Sequence, residues 1–395
     1  MHLRSLKAFS RSFSFKRAPG KIQEFDFLRT TALELGLNLA LKNVIHVVGT
    51  NGKGSVVSML QDIYTKAGYK VHSYTSPHLM HMNERIKLYG KSISDEELLA
   101  AINYVLSHPK AEFLKFFDVL TLAAFWCFSK NPADIILLEA GLGACFDPTN
   151  LIVDPMAVVI TKISLDHQDV LGHTLTSITK NKACAIKKRV LCVTASNQEP
   201  EVLNILQKTA QSQESSLIVS KKDETFSTLQ GYLAQNATLC LEVLEHLNNR
   251  FPVSLQTISD AFKDFSYKGR LQKIQSGLLK DLFQNQEIIL DGAHNEDGFM
   301  ALAEFLDSSP QKTLIIAGFS QLSRHAGFEK HLKSPLFEFL YLEQVPLYPK
   351  KQKVYKNLTS ALKKAYKKRK DFSRIIITGS LYLVGDVLKN YVNDE

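Results

Sequence analysis

The sequence predicts an α/β protein in two domains, and three features carry that expectation. A β-branched apolar run at residues 44–48 leads through a glycine-rich loop into a helix-patterned stretch and a second apolar run. Short apolar runs then alternate with longer amphipathic segments up to residue 163. The same alternation starts again near residue 286.

Taken in order, "VIHVV" reads as a buried strand ending at Gly49. After the loop, Val56, Met59, Leu60 and Ile63 recur at helical spacing, and Gly68 closes that helix. "YKVHSYTS" is the next strand, which completes a βαβ unit. Helices are expected at "DEELLAAINYVLS" and "FDVLTLAAFWCFS", and strands at "DIILLEAG" and "MAVVITKI". Residues 195–235 are polar and rich in Ser and Gln, with the weakest pattern in the chain. In "DFSYKGRLQ" a helix ends and Gly269 permits a turn, so the boundary is set there, giving domains 1–266 and 267–395. The smaller second domain has strand candidates at "EIILDGA", "TLIIAGF", "FEFLYLEQV" and "RIIITGSLYLVG", with helices between them.

Of the 395 residues, 45% are hydrophobic and 22% charged, which supplies ample material for a core. The longest apolar runs, such as "VLTLAAFWCF", are too short to span a bilayer and read as buried helix. No membrane association is expected. The first 22 residues hold six Lys or Arg and no acid. An organellar presequence and a basic, amphipathic first helix of the folded protein both fit, and the helix is preferred on composition; a secretory signal is not expected, because there is no continuous apolar core. The five Cys form no C-x-x-C pair and their number is odd. That pattern fits a reducing compartment, hence the cytoplasm, and argues against a disulfide framework or a structural zinc. The net charge is +9, with basic runs near the C-terminus in "YPKKQKVYKNL" and "KKAYKKRK". A solvated helix face is preferred over a nucleic-acid patch, and a field attracting an anionic substrate is a third option.

The loop "GTNGKGS" is built for phosphate but is not the usual P-loop. Only Thr50 and Asn51 separate its first glycine from Gly52-Lys53, where the P-loop pattern has four residues, and Gly54 stands between Lys53 and Ser55. Glycines let backbone N–H groups converge on an anion, Lys53 adds a point charge, and a helix N-terminus follows. The Ser55 hydroxyl is suited to Mg²⁺ or phosphate. Elsewhere, Glu139 ends an apolar strand, where an acid needs a reason. His167, Ser76, Asn236 and Asn295 read on their own as caps or satisfied polar residues, Phe117 and Phe146 as core, and Lys182 as part of a solvated lysine-rich helix.

The spacing of "GTNGKGS" resembles the folylpolyglutamate synthase and dihydrofolate synthase family, a branch of the Mur ligase superfamily, and Gly54 points to the folate branch. The resemblance continues in order along the chain. "SPHLMHMNERIKLYGKSIS", "FFDVLTLAAFWCF", "LLEAGLGACFDPTN", "ITKISLDHQDVLGHTLTSITKNKACAIKK", "YKGRLQ", "LDGAHN" and "GSLYLVG" each look like a family segment, the last a C-terminal strand and turn. It implies a P-loop, Mur-ligase-like nucleotide domain followed by a Rossmann-like α/β domain.

The resemblance implies a cytoplasmic, monomeric, ATP- and Mg²⁺-dependent amide ligase with only small-molecule substrates and no nucleic-acid partner. It would join L-glutamate to dihydropteroate, to (tetrahydro)folate, or to both, through an acyl phosphate. Asn51, Gly52, Lys53, Gly54 and Ser55 would hold the β- and γ-phosphates, with Asn236, Arg270 and Asp291 completing the ATP site. Ser76, Glu139 and His167 would hold Mg²⁺, and Lys182 would form a carbamate for a second ion. His294 would sit near the γ-phosphate and the tetrahedral centre. Lys53, His294 and Lys182 are thus the catalytic set. Phe117, Asp118, Phe146 and Asp147 would receive the pterin, the rings by stacking and the carboxylates by accepting from its amino group.

The chain departs from the family pattern at several places. Ala144 and Cys145 replace a Gly-Arg pair, Asp118 replaces a longer Glu, and Lys268 stands where Pro is common. "GFSQLSRHAGFEKHL" lacks the usual acidic motif of the second domain. Two alternatives accompany the leading reading: a Mur-type amino acid ligase, and a non-catalytic nucleotide-binding adaptor.

Overall fold

The computed structural model describes residues 3–13, 22–221, 229, 231–319, 322–343 and 354–392. The chain falls into two compact units, Met1–Phe265 and Ser266–Glu395.

The first unit is built on β1 (Val44–Val48), β2 (Val71–Tyr74), β3 (Ile86–Leu88), β4 (Lys91–Ser92), β5 (Ile135–Glu139), β6 (Ala157–Ile160), β7 (Leu191–Thr194) and β8 (Leu217–Val219). They form one sheet in the order β4-β3-β2-β5-β1-β6-β7-β8. All pairings are parallel except β2–β3 and β3–β4. β1 lies between β5 and β6, whose connections leave on opposite sides, so its carboxyl end opens into the crevice where such sheets bind ligands. Every residue of β1 and β5 is buried, as a sheet covered on both faces requires.

The helices follow their caps and periodicity. Ser94 and Glu97 form a capping box at the start of Asp95–Leu106. Phe116–Lys130 buries almost its whole surface against that helix and the sheet, which explains its apolar run without a membrane. No helix among the described residues is long and apolar enough to cross a bilayer. The basic N-terminal segment includes a docked helix, Leu6–Ser12. Its Phe9 is fully buried and stacks on Phe116 at 5.0 Å, and Leu3 exchanges backbone hydrogen bonds with the Asn103 side chain. Residues 14–21 of that segment lie outside the described ones.

The second unit has β9 (Gln272–Lys273), β10 (Glu287–Leu290), β11 (Thr313–Ala317), β12 (Phe337–Leu342), β13 (Val354–Tyr355) and β14 (Arg374–Thr378), in the order β13-β12-β11-β14-β10-β9. Only β9 is antiparallel.

Three expectations need correction. "RIIITGSLYLVG" is not one strand: β14 stops at Thr378, Gly379 turns with φ 101°, and Ser380 caps a helix over Leu381–Tyr391. Leu383, Val384, Val387 and Leu388 bury one face of that helix, so a 3.6-residue period operates where alternation was read. Asn236 is not a cap either; it lies inside the helix Tyr232–Leu247, whose N-cap is Gly231. Finally, Cys145 and Cys184 are joined by a disulfide, leaving Cys127, Cys192 and Cys240 as buried thiols. The turn after β5 folds back onto the end of the helix Leu175–Ala183, which brings the two cysteines together.

Candidate active site

The phosphate loop is held in place by close backbone approach. Gly49 has φ 146°, and a Cβ there would lie 1.9 Å from Thr161 Oγ1. Gly52 has φ 91°, and its Cβ would lie 2.5 Å from Asn236 Oδ1. Both positions therefore need glycine. Thr50 staples the loop to the segment after β6: its N–H donates to Lys162 O at 2.9 Å, and its hydroxyl donates to Ser164 O and accepts from Ser164 N–H, both at 3.0 Å.

Lys53 opens the following helix and bends back, its Nζ donating to Gly49 O at 3.2 Å and Thr50 O at 3.1 Å. Lys182 Nζ donates to the same Gly49 carbonyl at 2.6 Å from a buried position. Burial first, and the neighbouring Lys53 charge second, bring the Lys182 amine down to about 7. Ser55 Oγ and Asn236 Nδ2 are buried without a hydrogen-bond partner among the described residues. A buried polar atom without a partner is costly, so a ligand that supplies partners is favoured at this turn.

Glu139 ends β5 beside Val47 of β1, is 4% exposed, and accepts the Ser76 N–H at 2.8 Å. Glu84 organises the segment after Ser76 by accepting the amides of Leu79, Met80 and His81 at 2.9, 3.0 and 2.7 Å. His167 has a left-handed backbone (φ 49°) at the start of Gln168–Leu171, and Asp166 holds it: the His167 N–H donates to Asp166 Oδ1 at 2.8 Å, and the ring lies 3.8 Å from Oδ2. Of the expected metal set Ser76, Glu139 and His167, the first two are thus joined by a hydrogen bond, and His167 is held by Asp166. No group of three His, Cys, Asp or Glu is gathered for a metal among the described residues.

Phe117 lies against Gly141, whose Cβ would fall 2.5 Å from the ring, so glycine there keeps the aromatic face close to the turn after β5. Asp118 is raised to about 6, chiefly by burial, although its Oδ2 accepts the Lys115 N–H. Phe146 is 39% exposed and meets Phe25 edge-on at 6.3 Å. Asp147 is buried and already engaged: it accepts from Leu142 N–H, Thr149 N–H and Thr149 Oγ1 at 2.8, 3.0 and 2.5 Å. Its carboxylate shapes the turn that presents Phe146.

In the second unit the turn after β10 is tied to the segment that precedes β9: the Gly292 N–H donates to Gly269 O at 2.8 Å. Asp291 accepts Leu271 N–H at 2.9 Å and Ala293 N–H at 2.8 Å. His294 Nδ1 lies 2.8 Å from Gly292 O; a carbonyl only accepts, so this nitrogen donates. Arg270 Nη1 approaches Gly292 so closely that a Cβ there would lie 2.4 Å away. Asn295 caps the helix Glu296–Ser308 through Gly298 N–H. Of the divergent "GFSQLSRHAGFEKHL" segment, residues 320 and 321 lie outside the described ones.

Sequence reading passed over Asp166, Thr50, Asn181 and Glu84. Asp166 adjoins His167, and its acid beside an imidazole was the available signal. Asn181 adjoins Lys182 and accepts the Ala144 N–H at 3.0 Å; nothing local marks it.

Comparison with known proteins agrees with this geometry. The model of the "Dihydrofolate synthetase, C-terminal domain" family matches residues 334–390. The Bacillus subtilis dihydrofolate synthase/folylpolyglutamate synthase is 33% identical over 312 residues, covering 70% of each chain. The Lacticaseibacillus casei folylpolyglutamate synthase is 31% identical over 383 residues, covering 87% of this chain and 88% of its own. The apo form of L. casei FPGS superposes with a TM-score of 0.80 at 26% identity, covering 97% of this chain and 98% of that one. A glycine turn with unsatisfied polar atoms, an acid ending the neighbouring strand and whole-chain similarity to these enzymes converge on one assignment: the chain belongs to the dihydrofolate synthase/folylpolyglutamate synthase family.

Proposed function

We propose that this chain is an ATP-dependent ligase that adds L-glutamate to dihydropteroate and to (tetrahydro)folate. The observation that carries the reading is the pair of orphaned buried atoms, Ser55 Oγ and Asn236 Nδ2, beside a glycine turn that also holds Lys53. A triphosphate supplies acceptors for both the hydroxyl and the amide.

The substrate carboxylate is a poor electrophile, because its charge repels an amine. Its oxygen attacks the γ-phosphorus, ADP leaves, and an acyl phosphate forms. The glutamate amine then adds to the carbonyl carbon; phosphate departs, the amide forms and one proton is released. Lys53 and the amides of Asn51, Gly52, Gly54 and Ser55 neutralise charge on the β- and γ-phosphates. Asn236, Arg270 and Asp291 serve the nucleotide. His294, oriented by its Nδ1 hydrogen bond to Gly292 O, serves near the γ-phosphate and the tetrahedral centre. Phe117 and Phe146 stack on the pterin, with Asp118 and Asp147 beside it. The first unit is thus the ATP- and folate-binding domain and the second the closing glutamate and ATP domain.

Ser55, Ser76, Glu139 and His167 suit Mg²⁺ as oxygen and nitrogen ligands, and the ion would supply further neutralisation of the phosphates. Lys182 has the low basicity that reaction of its neutral amine with CO₂ requires, and the resulting carbamate supplies oxygen ligands for a second ion. The enzyme acts as a cytoplasmic monomer on small molecules, without nucleic acid.

The test is phosphate release from ATP by the full chain, with glutamate and each pteridine added separately. Stimulation by dihydropteroate and by tetrahydrofolate, with labelled glutamate entering both products, is expected. Stimulation only by a UDP-muramoyl substrate or by nucleic acid overturns the reading.

A further inference from the structure

Two cysteines outside the reaction chemistry tie together segments that serve it. Cys145 lies in the turn after β5, between the Gly141 that packs on Phe117 and the Asp147 that shapes the Phe146 turn. Cys184 is the C-cap of the helix Leu175–Ala183, two residues beyond Lys182. Their Cα atoms are 4.9 Å apart across a sequence separation of 39. The enclosed segment contains β6, His167 and Lys182.

The same two segments are also joined without covalent help. Ala144 N–H donates to Asn181 Oδ1 at 3.0 Å, and Asn150 Nδ2 to Cys184 O at 3.4 Å. Gly143 has φ 68°, and a Cβ there would lie 2.2 Å from Asn181 Oδ1. The turn therefore approaches the helix end with or without the bond, and the bond restricts how far it can leave. Cys145 and Cys184 are both half-buried and reachable by a small thiol reagent. The other three cysteines are buried; burial pushes the Cys127 and Cys192 thiols up to about 12 and raises Cys240 further. Thiolate chemistry is thus confined to one pair.

We propose that Cys145 and Cys184 are a reversible thiol–disulfide site, oxidised by exchange with a low-molecular-weight disulfide, whose closure clamps the Phe146 turn to the Lys182 helix and tightens pteridine binding. One cysteine thiolate attacks the disulfide of the oxidant, expelling one small thiolate and leaving a mixed disulfide on the protein. The second thiolate attacks that protein sulfur and expels the second small thiol. Two protein S–H bonds are lost and one S–S bond forms; the oxidant takes up two electrons and becomes two thiols. The bond's existence and its clamping of the turn stand on geometry alone, whereas the effect on pteridine binding rests on the proposed function.

The experiment uses the full chain equilibrated with reduced or oxidised glutathione. Peptide mapping after alkylation reads the bond, hydrogen exchange of the amides at 141–147 reads the clamp, and the pteridine KM reads the coupling. Oxidation is expected to protect the two cysteines from alkylation and slow exchange in the turn. It should also lower the pteridine KM about fivefold, the factor that ordering roughly one backbone residue is worth. Cys145→Ser and Cys184→Ser should each lose all three responses to glutathione. Equal alkylation in both buffers overturns the site. A bond that forms without changing exchange overturns the clamp, and unchanged KM with slowed exchange overturns the coupling. Absence of ligation in either buffer counts against the proposed function and leaves the mapping and exchange results to decide the site and the clamp.

Discussion

The two strand-end turns of this molecule, one in each unit, solve opposite problems. The turn after β1 leaves Ser55 Oγ and Asn236 Nδ2 without partners and sets two lysines, Lys53 and Lys182, on one carbonyl. Each of these costs stability in the empty protein and is relieved by an anion with acceptor oxygens. The turn after β10 ties its polar groups to nearby backbone: Asp291 takes the amides of Leu271 and Ala293, and His294 donates to Gly292 O. The first turn is built to be completed by a ligand, and the second to present a histidine at a fixed angle. Substitutions in the first should mainly change binding and turnover, and substitutions in the second should change stability as well as turnover.

The largest effect is expected at Lys53. On the proposed function, Lys53→Ala removes the charge that neutralises the transferring phosphate and should lower turnover about 10²–10³-fold. It also takes away the ammonium that depresses Lys182, so the urea midpoint should hold or rise. Undiminished phosphate release would break the account of the first turn. Next is Asp291→Asn. An amide has only one acceptor oxygen, so its NH₂ must face one of the two amides that Asp291 accepts. The expected loss is about 2–3 kcal/mol, read from urea unfolding. If stability held while activity fell, Asp291 would serve the nucleotide alone and not the backbone of its turn.

Ser55→Ala sharpens the contrast at smaller scale. Deleting a hydroxyl that has no partner should leave the empty protein as stable or up to about 1 kcal/mol more stable. Nucleotide affinity should fall roughly tenfold, as loss of a hydrogen bond to a charged group predicts. Equilibrium dialysis and thermal unfolding of the same sample separate the two.

This contrast also marks what the sequence could disclose. The β1 turn was legible because its glycines and lysine stand together in the sequence, although the residues that require those glycines, Thr161 and Asn236, lie far along the chain. The acid at the end of β5 was legible because a charged residue closing an apolar run is conspicuous. The helix Leu381–Tyr391 was missed because a short apolar run fits both periods, and the Ser380 cap was the signal that would have separated them. The Cys145–Cys184 pairing was hidden, since it depends on a turn meeting a helix end 39 residues later. Asp147 was legible as important but not in its task, because its partners are the backbone of its own turn.

Asp118 tests whether a carboxyl in the first unit can be tuned for binding at the expense of stability. Burial raises it from 3.8 to about 6. A carboxyl whose folded value is raised contributes stability fully below its unfolded value and loses it as pH climbs through 6. Wild type should therefore lose stability relative to Asp118→Asn between about pH 4 and pH 7, because the amide stays neutral and can still accept the Lys115 N–H. Binding should run the other way. The ionised form is the better acceptor for a pterin amino group, so wild-type pteridine KM should fall as pH rises through 6, while the variant's stays flat and about fivefold higher at pH 7. Urea midpoints and KM measured across the same pH series give two curves of opposite slope for wild type. Parallel slopes would mean that Asp118 supports the fold only, and that the pterin is held by the rings alone.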